Sequence, residues 1–154
     1  GPRLIMASAN FLGFDYGEKT IGVAVGNSAS GQAHPLANVR VIRGQPQWDK
    51  IEALINEWQP TALIVGLPLN MDGSENPVTP RARKFGNRLN GRYNLPVHMV
   101  DEHLTTRDAR TELYNAGVTE KRHKPVLDQL AAQAILQTFL TEQIRQPGSE
   151  LESD

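Results

Sequence analysis

The 154-residue chain contains no cysteine, which excludes a disulfide framework, a thiolate nucleophile and a Cys-ligated zinc centre, and which fits a reducing compartment. Aromatic residues are sparse at 6%, and charge of neither sign dominates, with 16 Lys and Arg against 17 Asp and Glu. That balance argues against a histone-like or basic-arm polyanion binder. No apolar run approaches the roughly 20 residues of a membrane span, and no secretory h-region opens the chain. The expectation is a cytoplasmic protein with no membrane partner.

What is present is enough for one globular domain, since a chain of about 150 residues hides roughly two thirds of its unfolded surface in a single core. Gly1-Pro2 reads as a protease-cleavage scar with Met6 as candidate initiator, so residues 1–8 are set apart as a disordered start. Residues 145–154 have too little apolar content to pack and are expected to form a disordered tail. A single domain over 9–144 remains.

Short apolar runs at 11–15, 21–25 and 38–42, separated by turn-forming residues, predict a three-strand antiparallel meander. Pro46 stands where a first helical residue would, and Trp48, Ile51, Leu54, Ile55 and Trp58 follow at helical spacing up to Pro60. The unbroken run 62–65 predicts a strand covered on both faces, and a polar loop with Gly and Pro, a candidate lid, runs from Leu67 to Pro80. A helix at 81–92, a strand at 96–100, a helix from Thr105 or Thr106 to Asn115 and a last helix from Pro125 to Leu140 complete the pattern. The fold class is α/β, a mixed five-stranded sheet in the order β-β-β-α-β-α-β-α-α with helices on both faces.

Three places on this pattern carry acids where apolar residues would be cheaper. Asp15 ends the first strand after Leu12-Gly13-Phe14, either as a turn former or as a poorly solvated carboxylate that requires a partner. Asp101-Glu102 follows a later strand, and because neighbouring residues point to opposite sides only one of the two is expected to face Asp15. Asp128 continues the stripe of Ala132, Ile135 and Phe139 in the last helix, whereas a surface acid would sit with Gln129, Gln133 and Gln137. Complementing the helix dipole is its competing role. If the three converge at one sheet edge, an oxygen-only donor set selects hard cations such as Mg²⁺ or Mn²⁺.

Basic residues are segregated rather than scarce. Residues 81–124 hold ten of the 16 basic side chains and five acids. Arg81, Lys84, Arg88 and Arg92 share one helical face, and Lys121, Arg122 and Lys124 precede the helix bearing Asp128. Either these are solvated surfaces or a phosphate backbone crosses the site between them. Lys19, in the first hairpin, is a further candidate phosphate contact.

Four segments taken together resemble one family: Phe14-Asp15-Tyr16-Gly17 running on to Ile21-Gly22-Val23-Ala24-Val25, Val65-Gly66-Leu67-Pro68 with Asn70-Met71-Asp72-Gly73, Asp101-Glu102-His103-Leu104-Thr105-Thr106, and Asp128 followed by Ala131-Ala132. The resemblance is to the YqgF family, also called RuvX, and extends over 11–140. It implies a ribonuclease H-like fold and an endonuclease that processes the 5′ end of pre-16S ribosomal RNA, with Holliday junction resolution proposed for some members. Carried over by position, the catalytic and metal-binding acids are Asp15, Glu102 and Asp128, with Asp101 secondary and a pair of Mg²⁺ or Mn²⁺ ions between them. His103 stands where the family usually has Arg, and Ala131 where resolvases of the RuvC type carry a second acid. Partners are nucleic acid, with pre-rRNA favoured over branched DNA, and ribosomal particles; the protein would be a monomer or a homodimer. The rival readings are a Holliday junction resolvase and a non-catalytic RNA-binding or ribosome-binding module of the same fold.

Overall fold

Strand β1 (Asn10–Asp15) places Leu12 and Phe14 on one side and Phe11, Gly13 and Asp15 on the other, and this two-residue period sets the layers of the molecule. The computed structural model describes residues 8–102 and 124–144. In it β1 is followed by β2 (Thr20–Asn27), β3 (Gln32–Ile42), β4 (Gln45–Pro46), α1 (Trp48–Trp58), β5 (Ala62–Leu67), α2 (Thr79–Tyr93), β6 (Val97–Asp101) and α3 (Lys124–Ile144). The strands lie in the order β4-β3-β2-β1-β5-β6. β1, β2 and β3 form the expected antiparallel meander, while β5 pairs parallel with β1 and β6 parallel with β5. The helix expected at 105–115 lies outside the described residues.

The sheet has six strands where five were expected. The extra one, β4, is two residues long and pairs with Val41 and Ile42. Pro46 therefore belongs to a strand and not to the helix start. Arg43 and Gly44 take left-handed conformations, with φ of 54° and 77°, which turn the chain back onto β3 before α1 begins. β3 is also longer than its apolar core suggested and carries Pro35 inside it. Proline is tolerated there because β4 covers only the end of β3, and the register with β2 shifts between Val23 and Ala24.

Helices cover both faces. On the side of Leu12 and Phe14, α1 and α2 contribute Ile51, Phe85 and Leu89, and the rings of Phe14 and Phe85 meet edge-on at 5.7 Å. On the other side α3 contributes Ala132, Ile135, Leu136 and Phe139, packed on Ala24 and Ile64. Helix and sheet approach closely here: a Cβ placed on Gly13 would come within 2.8 Å of Leu136 Cβ. Among the described residues no helix is long and apolar enough to cross a membrane.

Gln129, Gln133 and Gln137, read from the sequence as a free polar face, dock on β3. The Gln133 amide donates to the Ala33 carbonyl at 2.9 Å, and the Gln137 amide donates to Gly31 O at 2.8 Å while its Oε1 accepts the Ala33 N–H at 3.0 Å. Gln129 donates to the Asn38 side chain, which in turn donates to Pro125 O at 3.2 Å. These bonds satisfy backbone groups at the end of β3 that β4 does not cover. They also tether the first turns of α3, which carry Asp128, to the sheet.

Within α2, Gly91 is an exposed helical position where an added Cβ would meet nothing within 4 Å. Replacing Gly91 with Ala is expected to raise stability by about 0.5–1 kcal/mol, because alanine loses less backbone freedom on entering a helix. A urea midpoint that stays put or falls would contradict this.

Candidate active site

Asp15, Glu102 and Asp128 are 4%, 6% and 5% exposed, and they are the only charged side chains buried among the described residues. Asp15 is the last residue of β1 and lies opposite Gly22 of β2. On its other side Phe14 pairs with Val65, which brings Asp15 level with Gly66 of β5. Gly22 and Gly66 therefore flank Asp15, about 10 Å apart at the usual strand spacing.

Each flanking glycine lies under one of the other acids. A Cβ on Gly66 would come to 2.5 Å from Glu102 Oε2, so the Glu102 carboxylate rests over that backbone. The Glu102 N–H donates to Leu67 O at 3.2 Å and continues the β5–β6 pairing one residue past the strand. A Cβ on Gly22 would fall on the Asp128 backbone carbonyl, so the first turns of α3 are seated there. A side chain at Gly66 would run into Ile135 and the Glu102 carboxylate, and one at Gly22 into the backbone of α3.

Alternation decides between Asp101 and Glu102. Val97 and Met99 of β6 pack with the α1/α2 layer, and Val100 with the α3 layer. Asp101 is thus aimed away from Asp15 and is exposed, while Glu102 is buried beside it. None of the three buried acids stands without a partner. Among the described residues no three acid or histidine side chains are drawn together tightly enough to hold an ion as they stand. Their chemistry nevertheless suits a hard divalent cation, since all the side-chain donors are carboxylate oxygens.

The basic face of α2 lies on the opposite side of the sheet from these acids. Arg81, Lys84 and Arg88 line a cleft of about 430 Å³ together with Tyr16 and Gln45. Arg81 forms an ion pair with Glu18 of the β1–β2 turn. Arg88 donates to Gln45 Oε1 at 2.8 Å, and its guanidinium lies 5.2 Å from the Trp48 ring centre. Arg92 packs closer on the same ring, at 4.1 Å, and stands roughly 16 Å along the helix from Arg81. Arg92 is thus the member of the set most removed from the carboxylate edge. Lys19 is exposed in the β1–β2 turn, where its carbonyl accepts the Val41 N–H at 2.9 Å. Lys121, Arg122 and the Lys124 side chain lie outside the described residues.

Gln45 belongs to this surface although no sequence signal marked it, and Tyr16 and Trp48 belong to it although the sequence marked them only as part of a motif and of an apolar helical stripe. That they share one surface follows from turns and cross-element packing.

The candidate lid is internally tied. Leu69 bridges Glu75, the Asn70 N–H donates to Ser74 O at 2.9 Å, and Thr79 Oγ1 donates to Pro68 O. The Ser74 hydroxyl and N–H both donate to Asp72, at 2.6 and 2.9 Å, and hold its carboxyl below the usual carboxylate range.

The solved structure of the fowlpox virus Holliday junction resolvase shares this architecture, with a TM-score of 0.52 at 12% identity over 86% of this chain and 98% of that one. The fold is of the ribonuclease H-like class, and the relatives in sequence show a nuclease. The chain belongs to the RuvX family, described as Holliday junction resolvase, whose sequence profile matches residues 9–142. A relative from Aeromonas salmonicida is 51% identical over 138 residues, covering 90% of this chain and 99% of that protein. Another, from Pseudomonas paraeruginosa, is 51% identical over 131 residues, covering 85% and 91%. Both carry the name "Putative pre-16S rRNA nuclease".

Proposed function

We propose that the chain hydrolyses phosphodiester bonds at the edge formed by Asp15, Glu102 and Asp128, with the 5′ region of precursor 16S ribosomal RNA as its substrate. One observation carries this reading: the only buried charges among the described residues are three acids from three separate elements, grouped around the end of β1. Burying acids is costly even where each has a partner, and proteins retain several of them at one place where they serve chemistry. The names of the relatives support RNA as the substrate.

Asp15, Glu102 and Asp128 would hold Mg²⁺ or Mn²⁺ through their carboxylate oxygens. When bound, such ions supply activation of a water and stabilisation of the leaving oxygen. Asp15 is central because it stands between the other two, over the end of a strand whose backbone is fixed on both sides. Burial of the three carboxylates keeps bulk water from competing for them. Arg81, Lys84 and Arg88 attract and orient the phosphate backbone, and Lys19 extends that reach to the first hairpin.

Holliday junction resolution is the second reading, favoured by the description of the family. It requires two active sites and hence a symmetric dimer, whereas RNA trimming can be performed by a monomer. Cleavage of precursor ribosomal RNA and of a four-way DNA junction, assayed side by side with wild type and Asp15→Asn, separates the two. RNA cleavage that Asp15→Asn abolishes supports the proposal; junction cleavage alone overturns it. Salt-sensitive binding with no cleavage and no thermal shift in Mn²⁺ identifies a non-catalytic binding module.

Arg88→Ala is expected to weaken nucleic-acid binding across sequences and to reduce the slope of log K against log salt by about one. An unchanged slope removes Arg88 from the phosphate-contacting surface.

A further inference from the structure

The cleft on the far side of the sheet has features that a simple track for phosphates does not need. Its volume of about 430 Å³ lies in the range of small-ligand pockets. Three cations, Arg81, Lys84 and Arg88, face one acid, Glu18, which leaves an excess of two positive charges in its lining. That excess favours an anionic phosphate. Its wall is aromatic: the Tyr16 ring lies 5.3 Å from the ring of Phe85, tilted by 36°, and both residues border the cleft.

Position links this cleft to the acids. Tyr16 directly follows Asp15 in the chain, so the two Cα atoms are about 3.8 Å apart, while their side chains serve opposite layers. A polynucleotide passing over the end of β1 would meet the carboxylates on one side and Tyr16 on the other within a single residue of protein.

We propose that this cleft is a nucleotide subsite, in which Tyr16 stacks on a base while Lys84 and Arg88, with the Glu18-paired Arg81, hold the adjoining phosphate. This rests on the nuclease reading for the role of the bound nucleotide, as a neighbour of the bond being cut. Binding to the cleft itself does not depend on that reading. A flat base beside an anionic phosphate explains why an aromatic wall and a cationic wall occur together, where free phosphate would need only the second. Gln45, whose Oε1 accepts from Arg88, has amide N–H groups that can donate to base or sugar edges.

The chain carries its own reporter. Trp48 stacks on Phe85 at 5.9 Å and lies under the guanidinium of Arg88, so a ligand drawing on Arg88 alters the surroundings of the indole. The test is a fluorescence titration of the full chain with adenosine and uridine 5′-monophosphates, and with inorganic phosphate, in the absence of divalent metal. Saturable binding of the nucleotides, tighter than phosphate, is expected. Tyr16→Ala should weaken it about tenfold through loss of stacking, Tyr16→Phe should retain it, and Lys84→Ala should weaken nucleotide and phosphate alike. Asp15→Asn should bind like wild type. Equal affinity for phosphate and nucleotide, or no difference between Tyr16→Ala and wild type, overturns the subsite. The comparison of Tyr16→Phe with wild type guards against a folding defect in Tyr16→Ala, since the phenylalanine keeps the ring packed on Phe85. Absence of metal-dependent cleavage by the wild-type chain would overturn the nuclease reading and leave the titration result standing, so the two failures are distinct.

Discussion

Asp15→Asn is expected to reduce metal-dependent cleavage below detection while the protein still folds. Asparagine matches aspartate in size and keeps one carbonyl oxygen, so the end of β1 and its contacts with β2 and β5 survive. What is lost is the charge at the centre of the acid group, between the Glu102 carboxylate over Gly66 and the helix turn over Gly22. Thermal unfolding supplies the second readout. Mn²⁺ should raise the wild-type midpoint, because a ligand that binds only the folded state stabilises it in proportion to RT ln(1 + [L]/Kd). The rise should shrink sharply in Asp15→Asn. Cleavage at wild-type rate, or an undiminished Mn²⁺ shift, would remove Asp15 from the centre of the site.

Gly22→Ala should be the most destabilising of the small substitutions considered. The new methyl group would fall on the Asp128 carbonyl and lie 3.0 Å from the Gln129 nitrogen, against helix backbone and not against a flexible side-chain tip. That backbone cannot retreat easily, since the bonds from Asn38 to Pro125 and from Gln129 to Asn38 hold the same turns to β3. Overpacking of this kind costs about 3 kcal/mol. For a domain of this size the thermal midpoint should drop by roughly 6–12 °C. Activity should fall as well, because relief of the clash moves Asp128 away from Asp15. Calorimetry and cleavage assays on the same preparation check both, and a midpoint within a degree of wild type would show that α3 is not seated on Gly22 as described. The contrast with Gly91→Ala, expected to stabilise, isolates the effect of close approach from the general preference for alanine over glycine.

Much of the acid site was legible in one dimension. Asp15 stood out because it closes an apolar strand, and Asp128 because it interrupts an apolar helical stripe; both signals arise from periodicity within a single element. The same logic said that only one of Asp101 and Glu102 could face the site. Resemblance to the family pointed to Glu102, and the alternation of Val97, Met99 and Val100 gives the physical reason. Register across the sheet was not legible. Nothing in the spacing of residues says that Gly22 and Gly66 are the neighbours of Asp15, or that β3 runs back to Gln32 through Pro35.

The basic face divides in the same way. Helical spacing put Arg81, Lys84, Arg88 and Arg92 on one side of α2, but it could not tell that Arg81 would be neutralised by Glu18 or that Arg92 would settle on Trp48. The glutamine stripe of α3 read as solvent-facing because amides are polar, whereas the uncovered end of β3 gave those amides backbone partners. Composition and periodicity determine which residues must be buried and which face of an element they share, since burial and local geometry are properties of a segment. Which buried faces meet, at what register, and which charges find partners there depends on how segments far apart in the chain pack. Only the tertiary fold decides that, and here it placed three acids on one side of the end of β1 and a cationic, aromatic cleft on the other.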